Sequence, residues 1–240
     1  MGILFKNALF LFLFGLISSY SPIHAQNMEI TDYLKNAGYY ARIYNGLIEQ
    51  GYNRQLYENN PYYHSDEFTD GEILYKNNIY PNQKVRIDLF LEKLIVLVPE
   101  NFYKVAVNSE DVGKVIMYNK TFLWLEPAQQ SGLKPGFYIS LYEGKKIKLF
   151  CKQKHAPYQK VVDNKMVYYF DHYTRYYVLI DNKYHTVKNT KSFVKLFPRY
   201  KKEINRFAKD NSLDFDMNKD HSLSLLSEFC EQLPTLNQSR

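Results

Sequence analysis

The chain has 240 residues, a formal net charge of +6, 45% apolar residues and 17% aromatic residues. This apolar content is enough for a sizeable buried core, so the composition excludes a disordered protein. The length fits one large domain or two small ones.

The first 25 residues have the pattern of an export signal. Lys6 precedes an apolar run from Ala8 to Ile17, and a short polar stretch ends at Ala25. The run is about ten residues long, whereas a helix needs roughly 20 to cross a bilayer. We therefore predict a signal peptide over 1–25, cleavage after Ala25, and a mature protein without a transmembrane segment.

Residues 26–70 are predicted to form an extended N-terminal arm. The stretch 34–63 is rich in Tyr, Gly and Asn and contains only short apolar pieces. Such a segment predicts one or two short strands rather than a regular sheet.

From residue 71 to 187 the sequence predicts an antiparallel meander. Five pairs of apolar runs of similar length are each joined by two residues that tolerate positive φ. The turns are predicted at 77–78, 119–120, 143–144, 163–164 and 181–182. Two further strands are predicted over 86–98, broken near Glu92-Lys93.

The C-terminal region is predicted to supply helices. Ser192 is the predicted N-cap of a short helix that ends near Pro198, and a second helix is expected to begin in the turn that Pro198 opens. Asp220 is the predicted N-cap of a last helix with Leu223, Leu226 and Leu233 on one face.

Together these elements predict an α+β fold. An antiparallel meander, which could curve into a half-barrel, is covered by two C-terminal helical segments. The meander and the helices form a single domain over 71–233, and 234–240 is a tail.

Charge is distributed unevenly along the chain. Residues 144–210 contain 17 Lys and Arg against 5 acidic residues, whereas residues 27–143 contain 11 against 15. A basic segment can face nucleic acid, anionic lipid or an acidic polymer. Because export argues against nucleic acid, we expect no nucleic-acid partner. A solvated basic strand face explains the same pattern.

No sequence motif of a known catalytic site occurs. The chain has no G-x-S-x-G, phosphate-binding loop, dinucleotide fingerprint or H-E-x-x-H. His64, Asp171 and His172 are the candidate ligand-binding residues, and would be the first residues to test in a hydrolase with a dispersed active site. No catalytic residue, cofactor or metal is predicted.

One acidic string imitates the start of a calcium loop. Asp214, Asp216, Asn218 and Asp220 alternate with other residues, but Lys219 and Leu225 stand where such a loop needs Gly and Glu. Without them, the sharp turn and two ligands are missing. The pattern equally fits an ordinary short strand.

The two cysteines and the tyrosines leave alternatives open. Cys151 and Cys230 fit either one disulfide, as an oxidising compartment allows, or two buried thiols. The 23 tyrosines fit strand packing, or a surface that stacks against sugars or peptides.

The chain resembles a family of exported proteins of unknown function from Bacteroidetes-type bacteria. The resemblance is carried by Tyr44-Asn45-Gly46-Leu47, Asn60-Pro61-Tyr62-Tyr63, Gly71–Tyr75, Pro135–Tyr138, Leu141–Gly144, Tyr176–Val187 and Lys191–Leu196. Pro198 departs from the longer basic helix of that family. The resemblance implies a Gram-negative periplasm and brings no catalytic residues.

These observations predict a non-catalytic periplasmic or envelope protein, with the periplasm preferred over the extracellular space. A curved sheet covered by helices suggests an apolar small molecule, a lipid or an envelope component as its partner. The rival hypotheses are a hydrolase and a module that binds a partner through aromatic residues.

Overall fold

The computed structural model of the protein describes residues 22–53, 55–100, 103–126 and 131–234. Most of the predicted signal peptide and nearly all of the predicted tail lie outside these residues. No helix in the described part of the chain combines the length and the apolar character that crossing a membrane requires.

The predicted antiparallel sheet is confirmed and contains eleven strands. In the described part of the chain, four helices, three of them C-terminal, complete an α+β fold. The strands are β1 (Leu47–Ile48), β2 (Thr69–Tyr75), β3 (Asn78–Asp88), β4 (Lys93–Leu97), β5 (Lys104–Ala106), β6 (Val112–Met117), β7 (Lys120–Leu125), β8 (Gly136–Glu143), β9 (Ile147–Val162), β10 (Lys165–Ile180) and β11 (Lys183–Val187).

The strand order shows that the chain builds the sheet in two directions. The order is β1-β5-β4-β3-β2-β6-β7-β8-β9-β10-β11, and every pairing between these strands is antiparallel. The chain runs outward from β2 to β5, returns to the free edge of β2 with β6, and continues to β11. The meander is therefore interrupted by one return.

Four of the five predicted hairpins close with two-residue turns in which both residues have positive φ. Two of these turns, Asp163-Asn164 and Asp181-Asn182, lie where they were predicted. The other two lie one residue earlier, at Lys76-Asn77 and Tyr118-Asn119, where Asn takes the second turn position. In this register the strands pair so that Tyr75 and Met117 are buried. The fifth connection, between β8 and β9, has three residues rather than two.

The sheet curls strongly. At least five strand spacings separate the β3–β4 turn from β9, which in a flat sheet amounts to roughly 24 Å. Nevertheless, the amide of His155 in β9 donates to the carbonyl of Leu89 in that turn at 3.2 Å. The two halves of the sheet therefore approach each other.

A segment that we call the strap, residues 56–63, joins these two halves. At one end, Tyr168 of β10 donates its amide to Leu56 at 3.3 Å, and Glu58 donates to Tyr168 at 3.1 Å. At the other end, Tyr63 donates to Ile87 of β3, and Leu89 donates to Pro61, both at 2.9 Å.

The segment before β1 differs from the extended arm that we expected. Residues 22–37 form helix α1 (Pro22–Ala37), and two 3-10 turns follow, Gly38–Tyr40 and Arg42–Tyr44. Ile43 is fully buried, so this segment contributes to the core. The scattered Tyr and Asn residues gave no local sign of these helical elements, because tertiary packing stabilises the segment.

Helices α2 (Thr190–Leu196), α3 (Lys201–Asp210) and α4 (Lys219–Glu231) cover one face of the sheet. The 3-10 turn Pro198–Tyr200 separates α2 from α3, as Pro198 suggested. Their large apolar side chains Phe193, Ile204, Leu223 and Leu226 are fully buried against that face. The apolar face of the sheet is thus packed by helices.

Two predicted helix caps are wrong by a few residues. Asn189, not Ser192, is the N-cap of α2, and Ser192 is its third residue in a capping box. Asn218 precedes α4, and Asp220 lies in its first turn. In both cases several N-cap residue types lie close together, and the sequence alone does not choose between them.

Candidate functional site

Two of the three residues predicted to bind a ligand lie together. Asp171 and His172 are neighbours in β10, and the His172 amide donates to Asp171 Oδ1 at 3.0 Å. His64 precedes β2, and its ring centroid lies 4.7 Å from that of Tyr118 in the β6–β7 turn. The structure therefore groups Asp171 with His172, while His64 contacts a different part of the fold.

His172 has a histidine partner that the sequence analysis missed. The β9–β10 register places His155 opposite His172, with 3.1 Å between His155 Nε2 and His172 Nδ1. His172 Nε2 lies 3.0 Å from Thr174 Oγ1. Burial, and then the neighbouring His172, lower the pKa of His155.

The acidic string at 214–220 has structural roles. Asp214 Oδ1 accepts the amides of Met217 and Asp216, both at 2.9 Å, and these bonds lower the pKa of Asp214. Asp220 accepts the Tyr176 hydroxyl at 2.8 Å and forms an ion pair with Lys120 at 3.4 Å. Within the described ranges, no three His, Cys, Asp or Glu side chains are grouped as a metal ion would require.

The two cysteines are free and buried in the structure. Of the two arrangements that the sequence left open, the structure has the pair of thiols. Burial raises the pKa of Cys151 and of Cys230 to about 12, so both thiols stay protonated near neutral pH.

A pocket of about 440 Å³ opens on the sheet face that points away from the helices. We call it the β9–β10 pocket. Because side chains alternate along a strand, residues 152, 154 and 156 of β9 share this face, as do residues 173, 175 and 177 of β10. Its principal side chains are Glu92, Lys134, Tyr138, Lys152, Lys154, Tyr173, Arg175 and Tyr177.

The floor of this pocket is a buried ion pair. Lys152 Nζ lies 2.6 Å from Glu92 Oε2 and donates to the Phe137 carbonyl at 2.9 Å. Glu92 Oε2 also accepts the Phe137 amide at 2.9 Å. Burial raises the pKa of Glu92 and lowers the pKa of Lys152, because each charged form loses hydration.

Gly136 makes room for this pair. Its φ is +150°, and an added Cβ would overlap both Lys152 Nζ and the Glu92 carboxylate. Glycine is therefore required here for conformation and for space. The floor is fixed by backbone contacts on both sides, and its two charges compensate each other.

The rim of the pocket is cationic. Lys134, Lys154 and Arg175 are exposed, and none of the three forms an ion pair with another described residue. The Tyr138 and Tyr177 rings meet edge to face with centroids 6.2 Å apart, and Tyr173 is 49% exposed. The pocket thus presents three positive charges that form no ion pair with a described residue, beside aromatic rings.

A second pocket of about 240 Å³ lies beside the strap. Arg86 lies between two rings, with its guanidinium carbon 3.7 Å from the Tyr62 centroid and 4.6 Å from that of Phe68, and it donates to the Asp66 carbonyl. Asp88 is fully buried and accepts the Tyr52 hydroxyl at 2.7 Å.

The Asp88 carboxylate is satisfied within the protein, whereas the buried Nε of Arg86 has no hydrogen-bond partner among the described residues. Asp88 also accepts the amides of Phe90 and Leu91, each at 2.8 Å. Because its carboxylate oxygens are engaged by the protein, we interpret this cluster as the anchor of the strap rather than as the primary ligand site.

Searches of protein-family models, curated proteins and solved structures gave no match to this chain. The resemblance to a family of exported proteins therefore stays a prediction, and the interpretation of the site depends on its geometry.

Proposed function

We propose that this protein is a non-catalytic binding protein of the periplasm or cell envelope, and that the β9–β10 pocket holds a small anion that carries a ring. The observation behind this proposal is the set of three unpaired cations, Lys134, Lys154 and Arg175, beside tyrosine rings. The signal peptide predicted over 1–25 supports the location.

The pocket changes the ligand class that we expected from the sequence. An apolar ligand or lipid would need an apolar concave surface, but helices α2, α3 and α4 pack against the apolar face of the sheet. The β9–β10 pocket lies on the opposite face and is lined by charged and tyrosine side chains. An acidic sugar or an aromatic carboxylate matches this lining better.

Each part of the pocket has a distinct role in this proposal. Arg175 can bind a carboxylate or phosphate through two parallel hydrogen bonds, and Lys154 adds a second positive charge. The exposed Tyr173 ring offers a face for stacking. The Glu92–Lys152 pair is already neutralised, so it fixes the floor without attracting a ligand. A pocket of about 440 Å³ falls in the size range of small-molecule sites.

Matched ligand pairs test the proposal in isothermal titration calorimetry. D-Glucuronate and benzoate are the anionic probes, and D-glucose and benzyl alcohol are their neutral counterparts. We expect at least one anion to bind about tenfold or more tightly than its neutral counterpart, which corresponds to about 1.4 kcal/mol.

Because the rim side chains are exposed, they can be replaced without disturbing the core. We expect Arg175→Gln and Lys154→Gln each to weaken anion binding, whereas Lys183→Gln, an exposed lysine in β11, keeps it. Equal affinity for anionic and neutral probes, or equal loss in all three variants, would contradict the proposal.

One observation favours a hydrolase as the second candidate. Thr174 Oγ1, His172 and His155 form a chain with steps of 3.0 and 3.1 Å. When His172 carries its proton on Nδ1, that nitrogen can donate to His155 and Nε2 can accept the proton of the Thr174 hydroxyl. His172 would then act as the base, Thr174 as the nucleophile and His155 as the group that orients the base. Hydrolysis of p-nitrophenyl acetate that Thr174→Val abolishes, without changing anion binding, would support this candidate.

A further inference from the structure

The strongest charged surface outside the pocket lies on helices α2 and α3. Residues 188–210 contain eight Lys and Arg residues but only two acidic residues. We call the eight cations the basic surface: Lys188, Lys191, Lys195, Arg199, Lys201, Lys202, Arg206 and Lys209. All eight are exposed.

Helix α3 separates its cations from its apolar residues. Ile204 is fully buried and Phe207 is half-buried, so their side of the helix faces the protein. The exposed residues Lys201, Lys202, Arg206 and Lys209 lie within an arc of about 140° when each residue advances 100°. Asn205 is the remaining residue of this arc. The outer side of α3 is therefore a continuous cationic stripe.

Helix α2 continues the same arrangement. Lys191 and Lys195 are four residues apart and share a helix face, and the buried Phe193 lies on the opposite side. Lys188 precedes the helix. Both helices thus direct apolar side chains inward and cations outward.

The protein itself compensates little of this charge. Of the eight cations, only Arg206 forms an ion pair with another described residue, at 3.7 Å from Asp210, and both partners are exposed. Surface pairs of this kind neutralise little of the field in water. The positive potential of the basic surface is therefore available to an external partner.

We propose that the basic surface docks the protein on an anionic lipid bilayer. A cluster of lysines and arginines is attracted to the negative potential of such a surface. Next to the stripe, the Phe207 and Phe229 rings stack with centroids 4.3 Å apart and line a surface depression, whose rim contains Lys202 and Arg206 as well as the acidic residues Glu203 and Asp210. Aromatic rings beside cations suit the boundary between headgroups and acyl chains.

Lipid is favoured over the other anionic macromolecules. The predicted leader would bring the chain to a membrane and away from nucleic acid. The helices and the β9–β10 pocket also lie on opposite faces of the sheet, so the pocket stays open on a docked molecule. This proposal does not depend on the ligand proposed for the pocket.

Vesicle sedimentation with the full chain tests the docking. The vesicles contain either phosphatidylcholine alone or phosphatidylcholine with 30% phosphatidylglycerol. We expect at least about tenfold more binding to the anionic vesicles, and a steep fall as salt rises from 50 to 500 mM because salt screens exposed charges.

Charge reversal at a matched site separates the surface from the net charge. The variant K202E/R206E/K209E should lose about tenfold or more of the vesicle binding. The control K160E/K165E/K183E makes the same charge change at exposed lysines of β9, β10 and β11 and should stay within about threefold of the wild type. If the reversal variant fails to fold by circular dichroism, K202Q/R206Q/K209Q replaces it with the same expectation.

Three results would overturn the proposal. The first is equal binding to both vesicle types, and the second is equal loss in the variant and its control. The third is a duplex DNA of 30 base pairs that binds the chain more tightly than the anionic vesicles do, which would assign the surface to nucleic acid.

Discussion

Glu92 and Lys152 show how burial changes the meaning of an ion pair. Their side chains are only 14% and 10% exposed. Burial raises the pKa of Glu92 and lowers the pKa of Lys152, so it favours the neutral form of each group. The attraction between them offsets desolvation only while both are present. The pair is best understood as a fixed connection between the β3–β4 turn and β9.

A double-mutant cycle tests this interpretation. Lys152→Met should lower the free energy of unfolding by about 3 kcal/mol, because Glu92 is left buried without its partner. The double variant E92L/K152M should recover part of that loss, since no buried charge remains. Urea denaturation measures both, and purely additive losses would contradict the coupling.

His155 gives a prediction for pH dependence. Burial and His172 lower its pKa below the usual 6.5, so the folded state favours the neutral imidazole. The unfolded chain binds the proton more readily, and the stability that His155 contributes is present above pH 6.5 and lost as pH falls through the lowered pKa.

We therefore expect His155→Asn to reduce the loss of stability between pH 7 and pH 5. The measurement is the midpoint of urea denaturation at each pH. Gln153→Asn, at a half-buried neutral residue of the same strand, is the control and should leave the pH dependence unchanged. The same slope in the wild type and in His155→Asn would refute the assignment.

The connection between β8 and β9 shows how two elements are fixed to each other. The Glu231 carboxylate at the end of α4 accepts the amides of Lys145, Lys146 and Ile147 at 2.9 to 3.2 Å. Gly144 has no positive φ, so its role is spatial: an added Cβ would overlap the Glu231 carboxylate. Helix α4 thereby fixes the connection between β8 and β9.

This geometry gives a coupled prediction. Glu231→Ala should cost about 2 kcal/mol of stability, because three amides lose a charged acceptor. Gly144→Ala alone should cost about 1–3 kcal/mol through overpacking, and this cost should fall by about half in the Glu231→Ala background. Thermal denaturation followed by circular dichroism tests the cycle. An unchanged cost of Gly144→Ala would mean that another neighbour opposes the Cβ.

The strap explains how a curled open sheet keeps its shape. Between its backbone bonds to β10 and β3, Asn59 pairs with the backbone of Phe170 through both ends of its amide, at 2.7 and 2.9 Å. Tyr57 stacks on Phe170 with centroids 4.9 Å apart. These contacts connect β10 to β3 without adding a strand between them.

We expect Asn59→Ala to loosen this closure. The variant should lose about 1 kcal/mol or more of stability, and the amides of residues 168–170 should exchange faster with solvent. Hydrogen exchange measured by NMR reports the local effect. Gln159→Ala, at an exposed position of β9, is the control and should change neither quantity. Protection unchanged in Asn59→Ala would show that the strap is held by other contacts.

Part of the candidate site was predictable from local sequence. The turn at Asp163-Asn164 fixes the β9–β10 register, and counting outward from it places His155 opposite His172 and Lys152 opposite Arg175. The residues that share the pocket face follow from alternation along these two strands. The turn was predicted from the sequence, whereas the cross-strand pairs that follow from it were not.

By itself, the sequence determined the features that depend on near neighbours. Turn residues that tolerate positive φ defined the hairpins, and periodic apolar residues marked the C-terminal helices, because both signals act within a few residues. Only the tertiary structure decided the return of β6 to β2, the strap and the contact of Glu92 with Lys152. These features join residues up to 112 positions apart, such as Leu56 and Tyr168, and depend on how far the sheet curls. That curl is the summed effect of twist and packing over eleven strands, which no local pattern records.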